Sequence, residues 1–220
     1  MSSTFGSSTL VRLLAPWAPA GTPAPGPDVA ERLAGWVTAF DAIGLQAAHR
    51  AIKSVGPAPA AARPARAGTT LAEDFERTRG TLARAIAQDP TLPHELGYAP
   101  YKRRHFELQR QMEQLVGALR EHVREVLSQG TPALRQLAAL DAALEQVLAR
   151  REQALLPTAA ALLERRFEQL RASAESPDDR AWVPGYEADW RAALHAELAL
   201  RLAPVAGLIE ATGTELNPQP

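Results

Sequence analysis

A basic cluster beside aromatic residues is the feature of this sequence best suited to binding an anion. It consists of Lys102, Arg103, Arg104 and His105, with an aromatic residue on either side. Basic side chains neutralise phosphates and aromatic rings stack on bases. The cluster lies where a helix is expected to begin, and positive charge is unfavourable there. We therefore take Lys102, Arg103 and Arg104 as candidate contacts to an anion or nucleic acid, although residues 101–129 carry only six basic against four acidic residues.

Metal ligation is not predicted. Di-iron helical bundles use Glu-x-x-His pairs that project from one helix face, and none of the five histidines follows a glutamate at that spacing. His94-Glu95 lacks the second histidine of the zinc-protease motif. His122 and Glu125 share a helix face, but such a pair arises readily by chance. We expect no metal and no other cofactor.

Motifs of the common enzyme classes are also missing. The sequence has neither of the two glycine-rich phosphate-binding motifs, the Walker A motif and the dinucleotide-binding fingerprint. It also has no Gly-x-Ser-x-Gly nucleophile elbow. The absence of cysteine rules out thiolate catalysis, disulfides and Cys-ligated metal sites. No catalytic residue is predicted, and an enzyme or ligand-binding bundle with an unfamiliar site stays open as an alternative.

Charged residues interrupt apolar helix faces at a few positions. Asp141 lies in the series Leu137, Asp141, Leu144 and Leu148. If the chain folds back at Gly130, Asp141 comes level with Arg120, which predicts an ion pair between two helices. Such pairs fix the register of packed helices more reliably than they add stability.

These side chains are positioned by a predicted helical hairpin over residues 101–129 and 132–172. Gly130 can end a helix in the left-handed conformation, Thr131 can serve as N-cap, and Pro132 suits the first helical position. Six apolar residues of the second arm are expected to face the first arm: Leu137, Leu140, Leu144, Val147, Leu148 and Leu155. Pro157 is expected to kink this arm. The predicted fold is all-α, with additional helices packed on a coiled-coil-like hairpin.

The rest of the chain divides into five predicted regions. These are a Pro-rich segment with a short helix at 1–28, a helix at 29–55, a flexible linker at 56–68, a helical bundle at 69–212 and a disordered tail at 213–220. A capping box at Thr70–Glu73 predicts a helix start. The last long helix is expected near Tyr186–Leu202, with Pro204 starting a short helical extension.

Composition is typical of a globular protein. The 220 residues are 46% hydrophobic and 22% charged, with a net charge of -1. We expect no stretch with the roughly 20 apolar residues that a membrane-spanning helix needs, and the N-terminus makes a poor signal peptide. The sequence thus predicts a soluble cytoplasmic protein without a transmembrane segment.

Several helix-face patterns resemble an uncharacterised family of bacterial proteins that is known only as a domain of unknown function. They lie at residues 31–36, 40–45, 137–141, 162–167 and 197–208. The resemblance implies a helical protein of about this length, with no established activity and no catalytic residues. The resemblance further implies genes that neighbour those for OmpA-like envelope proteins, and hence a cytoplasmic accessory subunit, peripheral to the inner membrane, of an envelope-associated complex.

The function predicted from these features is a non-enzymatic helical adaptor that binds another protein. The second arm of the hairpin is longer than the first, so the apolar side chains near its end are expected to pack against another helix of the chain or against another protein. Candidate partner contacts there are Leu162, Leu163, Phe167 and Leu170. Self-association is an alternative use of the same apolar faces, and nucleic-acid binding through residues 102–105 is the other alternative.

Overall fold

The structure, a computed structural model of the chain, describes residues 8–18, 65–88, 97–176 and 179–216, together with residues 46, 49, 50, 52 and 53. Every regular element in these residues is a helix, which confirms the all-α prediction. A short helix is followed by a 3-10 turn at Ala15–Trp17. Five α-helices are described in full: α1 (Thr9–Leu14), α2 (Ala65–Ala87), α3 (Ala99–Ser128), α4 (Pro132–Ala172) and α5 (Val183–Leu216).

The predicted hairpin is formed by α3 and α4. Thr131 is extended and its hydroxyl accepts a hydrogen bond from the Leu134 N–H at 3.3 Å, as expected of an N-cap. Pro132 occupies the first turn, where its missing N–H costs nothing. α4 continues through Pro157 to Ala172 without a break. A bend at Pro157 stays a prediction.

Gly130 is required at the turn for a different reason from the predicted one. Its φ lies outside the left-handed region. A Cβ at this position would instead lie 2.8 Å from Leu134 Cδ1 and 3.2 Å from the Leu127 carbonyl oxygen. A side chain at this position would force Leu134 to move and would crowd the Leu127 carbonyl, so the close packing of the turn favours glycine.

α2 runs antiparallel to α3. The Arg104 guanidinium, near the start of α3, donates to the Ala85 carbonyl near the end of α2 at 3.0 Å. Near the other end of both helices, His122 Nε2 lies 4.0 Å from Asp74 Oδ2. The first residues of α2 therefore lie beside the α3–α4 turn.

α5 runs parallel to α3 and forms the central helix of the bundle. Contacts between them follow the same order along both helices, from the Tyr101 hydroxyl and Glu187 at 3.0 Å to Gln109 and Glu197. α5 also packs against α1, α2 and α4. Its side chains contribute much of the core, and several of them are fully buried: Tyr186, Trp190, Leu194 and Val205.

The limits predicted for two helices differ from the structure. α2 begins at Ala65, so Thr70 lies inside a helix rather than at its start, because Ala and Arg residues favour continuing the helix. The linker prediction therefore reached too far, and its part before Ala65 lies outside the described residues. α5 continues through Pro204, where a separate extension was predicted, to Leu216. Residues 213–216 of the predicted disordered tail are therefore helical, and residues 217–220 lie outside the described residues.

The exposed position of Pro204 explains why α5 does not end there. Pro204 and Leu200 both lie on the exposed side of the helix. Proline removes the N–H that would bond the Leu200 carbonyl, and water can replace that bond on an exposed face. Leu202, Val205 and Leu208 are buried on the other face, so packing holds the helix together across the proline. The predicted 29–55 helix lies largely outside the described residues.

Candidate functional site

Four charged side chains form a cluster between α3 and α4. Arg120 makes a two-point contact with Asp141, at 2.8 Å from Nε to Oδ2 and 2.6 Å from Nη2 to Oδ1. Arg120 also donates to Glu145 at 3.3 Å, and Arg124 donates to both Asp141 and Glu145. The predicted Arg120–Asp141 pair is confirmed. Because Asp141 is buried, this cluster holds α4 in one rotation relative to α3.

That rotation determines which face of α4 is exposed. Residues Asp141 and Glu145 point toward α3, and each follows a leucine by one residue. One residue is a turn of about 100° around the helix axis. Leu140, Leu144 and Leu148 therefore face away from α3, with 42%, 40% and 44% of each side chain exposed.

The predicted seam of the hairpin is thus corrected. Leu140, Leu144 and Leu148 were expected to pack against α3. Asp141 does so through its contacts with Arg120, and Leu134 and Ala138 are buried at four- and three-residue spacing before it. Of the other predicted seam residues, Leu137 is partly buried against the core, and the side chains of Val147 and Leu155 lie outside the described residues. The ion pairs, and not the larger side chains, determine which face of α4 is turned toward α3. Leaving a buried charge unpaired would lower the free energy of unfolding by about 3–5 kcal/mol.

The exposed leucines form one continuous row, which we call the leucine row (Leu140, Leu144 and Leu148). They are spaced by four residues, so the row is about 12 Å long and follows the helix axis. Its neighbours on α4 are small and only half-buried: Ala139, Ala142, Ala143 and Ala149. Small neighbours let another helix approach the backbone closely, which makes this face a candidate protein-binding surface.

The far end of α4, by contrast, is covered by this chain itself. Leu163 is completely buried and Phe167 is 3% exposed, while Leu162 and Leu170 are partly buried against the core. These four residues are the partner contacts predicted from the sequence. The structure corrects this for Leu163 and Phe167, because a side chain inside the core cannot form a free surface.

Aromatic side chains from α3, from α5 and from the loops before these two helices provide that cover. The Phe167 ring lies 4.9 Å from Trp182, 5.1 Å from Tyr186 and 5.8 Å from Tyr98, measured between ring centres. The contacts with Trp182 and Tyr186 are edge-on, a favourable arrangement for aromatic rings, and the contact with Tyr98 is tilted. The Tyr98 hydroxyl donates to the Ala160 carbonyl at 2.8 Å, and burial raises the pKa of Tyr98 and of Tyr186. The cluster is a structural core without ionised groups.

The basic cluster at the start of α3 is divided between two faces of the helix. Lys102 forms an ion pair with Glu164 on α4 at 3.4 Å, and Arg104 donates to the α2 backbone and lies 3.4 Å from Glu107. Arg103 is exposed. His105 lies in the core at 1% exposure. The predicted anion contacts therefore do not form one surface, and two of the three already have partners within the chain.

His105 belongs to a buried polar group between α3 and α5. Glu197, 3% exposed, accepts hydrogen bonds from Gln109 at 3.0 and 3.2 Å and from Arg201 at 2.9 and 3.0 Å. Burial lowers the pKa of His105, with Arg201 acting in the same direction and Glu197 against it. The spacing Tyr101, His105, Leu108, Met112 places His105 on the apolar face of α3, a signal that the sequence analysis missed.

Sites for small ligands are sparse in the described part of the chain. No group of three or more His, Asp or Glu residues there has the arrangement of a metal site. A pocket of about 420 Å³ lies at the end of α4, lined by Arg171, Glu175, Asp179 and Trp182 among others. Asp179 accepts hydrogen bonds from the Ala181 and Glu175 backbone N–H groups, at 2.9 and 3.4 Å. Its carboxylate thus shapes the loop.

One described stretch, residues 183–213 of α5, is long and apolar enough to cross a membrane, and an 18-residue window within it has a mean hydropathy of 1.4. We had expected no such stretch. The central position of α5 accounts for its composition, because a helix that packs against α1, α2, α3 and α4 is apolar on several faces.

Comparison with known proteins identifies the family of the chain. Residues 1–214 match the family described as "Protein of unknown function (DUF3348)". The chain belongs to this family. The match confirms the resemblance to an uncharacterised family noted from the helix-face patterns. No curated protein and no solved structure matches the chain.

Proposed function

We propose that this member of the DUF3348 family is a non-enzymatic helical adaptor that binds another protein through the leucine row of α4. The observation that carries the proposal is the exposure of Leu140, Leu144 and Leu148 on a face that ion pairs turn away from the hairpin partner. Contact between water and three aligned leucines is unfavourable in free energy, and such rows on exposed helix faces are typical of protein-binding surfaces.

The chemistry of the row favours a helical partner. An amphipathic helix with apolar residues at three- and four-residue spacing can lay its apolar face along the row, between the small alanine side chains. The gene neighbourhood implied by the family resemblance supports a partner that belongs to an envelope-associated complex. The adaptor would then act on the cytoplasmic side, peripheral to the inner membrane.

Site-specific photocrosslinking in the native host tests this proposal. A benzoylphenylalanine residue replaces Leu144 in one variant and Gln146 in a control, because Gln146 is exposed on the same helix but two residues further around it. We expect a discrete crosslinked species of two different proteins from position 144 only. The further substitution Leu140→Arg should remove it.

Other results would count against the proposal. Crosslinks of equal pattern from both positions would indicate random encounters, and no crosslink from position 144 would remove the leucine row as a binding surface. A crosslinked species made of two copies of this chain would replace the adaptor proposal with self-association. Mass spectrometry of the crosslinked band distinguishes these outcomes.

A further inference from the structure

We propose that a second surface of the protein, on α3, binds an acidic amphipathic helix of another protein. The surface consists of Arg103, Phe106 and Arg110, which we call the basic stripe. It lies on a different helix from the leucine row and recognises its partner by charge as well as by apolar contact. The inference therefore goes beyond the proposed function and does not depend on it.

The three side chains of the basic stripe share one face of α3. They are spaced by three and four residues, which places them within about 60° of one another around the helix axis. Phe106 is 42% exposed, and both arginines are exposed. From Arg103 to Arg110 the stripe is about two helical turns, or about 10 Å, long.

The other sides of α3 are covered by helices of this chain. Tyr101 and Gln109 donate to carboxylates of α5. Arg104 donates to the backbone of α2, and Arg120 donates to Asp141 of α4. The basic stripe is the side of the helix that remains in contact with solvent.

The arginines of the stripe have no partner in the described part of the chain, unlike the other arginines of α3. Arg104, Arg120 and Arg124 each contact a carboxylate. Arg103 and Arg110 make neither an ion pair nor a side-chain hydrogen bond with any described residue. Each guanidinium thus keeps its planar set of N–H donors available for a carboxylate of another molecule.

Two acidic residues beside the stripe favour a protein partner over a nucleic acid or a membrane. Glu107 and Glu113 are both exposed, one residue after Phe106 and three residues after Arg110. A nucleic acid carries a phosphate at every nucleotide and an anionic membrane is charged over its whole surface, so either would bring negative charge against these carboxylates. A partner helix can place carboxylates opposite the arginines and neutral residues opposite Glu107 and Glu113.

The spacing of the stripe specifies the chemistry of the partner. A helix that lies along α3 at a small crossing angle presents side chains to it at intervals of about two turns. Two carboxylates about seven residues apart then face Arg103 and Arg110, and an aliphatic residue between them covers the exposed ring of Phe106. Arginine binds a carboxylate through two parallel hydrogen bonds, which fixes the register of the partner.

A synthetic peptide tests this recognition on the purified full-length chain. The probe is an alanine-rich helix of about 20 residues that contains the pattern Glu-x-x-Leu-Leu-x-x-Glu once. The pattern reads the same in both directions, so it fits a parallel or an antiparallel approach. Amide NMR of the isotope-labelled protein measures the binding, because it detects dissociation constants as weak as millimolar.

We expect this Glu peptide to shift the signals of residues 103–110. A matched peptide with Gln in place of both Glu residues should bind about tenfold more weakly, because two exposed ion pairs are lost. Phe106→Ala should weaken binding of the Glu peptide by a similar factor, since the leucines lose the ring that they cover. Added salt should weaken the Glu peptide more than the Gln peptide.

A charge exchange separates recognition from folding. The double variant Arg103→Glu, Arg110→Glu should no longer bind the Glu peptide and should bind a peptide with Lys at the two Glu positions. The matched control Arg77→Glu, Arg79→Glu reverses two exposed arginines of α2. It changes the net charge equally and should leave binding of the Glu peptide unchanged.

Several results would overturn the inference. These are the absence of any shift with the Glu peptide, equal binding of the Glu and Gln peptides, and failure of the double variant to bind the Lys peptide. Binding of single-stranded oligothymidylate, or of vesicles of equal parts phosphatidylcholine and phosphatidylglycerol, would reassign the stripe if it were tighter than that of the Glu peptide and required Arg103 and Arg110. The adaptor proposal is tested at position 144 of α4, so the two can fail separately.

Discussion

Both halves of α4 carry leucines, but only the turn-proximal half leaves a row of them exposed. The turn-proximal half, residues 132–149, exposes Leu140, Leu144 and Leu148, and buries Asp141. The distal half, residues 159–172, buries Leu163 and Phe167. The turn-proximal half is held by ion pairs to α3, and the distal half by aromatic rings from α3, α5 and the loop before it.

The comparison shows that leucine spacing alone does not decide which face of a helix is buried. In the distal half the aromatic residues can be covered only by apolar neighbours, so apolar spacing and burial agree. In the turn-proximal half Asp141 faces two arginines of α3. The free energy lost by separating these partly buried charges is larger than the free energy lost by leaving about two-fifths of each of three leucines exposed to water. The charged residues therefore determine the rotation of the helix.

The largest effect is expected from breaking the distal half. Phe167→Ala removes a ring that contacts several other aromatic rings, and we expect the free energy of unfolding to fall by about 3–5 kcal/mol. Urea denaturation followed by circular dichroism measures it. The matched control, Leu144→Ala in the turn-proximal half, should lose less than about 1 kcal/mol. Similar losses from both variants would remove the distinction between the two halves.

Substitutions in the ion cluster of the turn-proximal half are expected to have the next largest effect on the free energy of unfolding. Asp141→Ala leaves Arg120 and Arg124 with only Glu145 opposite them, which should cost about 2–3 kcal/mol, below the 3–5 typical of a fully buried pair. In a double-mutant cycle, Arg120→Ala and Asp141→Ala should lose together less than the sum of their separate losses. Additive losses would mean that the contact does not hold the helix. Asp141→Asn keeps the size of the side chain and separates charge from packing.

Part of this architecture was predictable from the sequence. The helix stop and start around Gly130 and Thr131 are local signals, and counting from the turn was enough to align Arg120 with Asp141. The reason assigned to Gly130 was wrong because close approach of Leu134 depends on packing in three dimensions. The continuation of α5 through Pro204 was not predicted for a similar reason. Buried side chains before and after Pro204 stabilise the helix more than the proline destabilises it, and this burial depends on the three-dimensional packing.

The candidate site was harder to predict than the fold. The leucines of α4 were assigned to the hairpin seam because size and spacing were weighed without the charges one residue further on. The assignment of His105 to a basic cluster followed its sequence neighbours, whereas its burial follows the three- and four-residue spacing of α3. Both errors arise because a helix places adjacent residues on different faces.

Acidification is expected to weaken the distal half selectively. His105 lies one helical turn after Tyr101, close to the aromatic residues, and its folded-state pKa is lowered from 6.5 mainly by burial. The unfolded chain therefore takes up the proton at a higher pH than the folded chain. Stability is fully present above about pH 6.5 and is lost as the pH falls from 6.5 toward the lower folded-state pKa.

Hydrogen exchange at a series of pH values, corrected for the intrinsic exchange rate, checks this expectation. Protection of residues 159–172 should fall before that of residues 132–149. His105→Phe keeps an aromatic ring in place and cannot be protonated, so it should flatten the pH dependence. A His105→Phe variant that retains the full loss of stability below pH 6.5 would assign the effect to another group.

The smallest effect is expected at the turn itself. Gly130→Ala adds a methyl group 2.8 Å from Leu134 Cδ1 and 3.2 Å from the Leu127 carbonyl oxygen. The leucine side chain can rotate away, but the backbone carbonyl cannot, so we expect a loss of about 1 kcal/mol in unfolding free energy. Because Leu134 belongs to the seam beside Asp141, the loss should appear as faster hydrogen exchange in the turn-proximal half, with the distal half unchanged. A stabilising Gly130→Ala substitution would show that the turn has room for a side chain, and that the ion cluster alone holds the two arms in register.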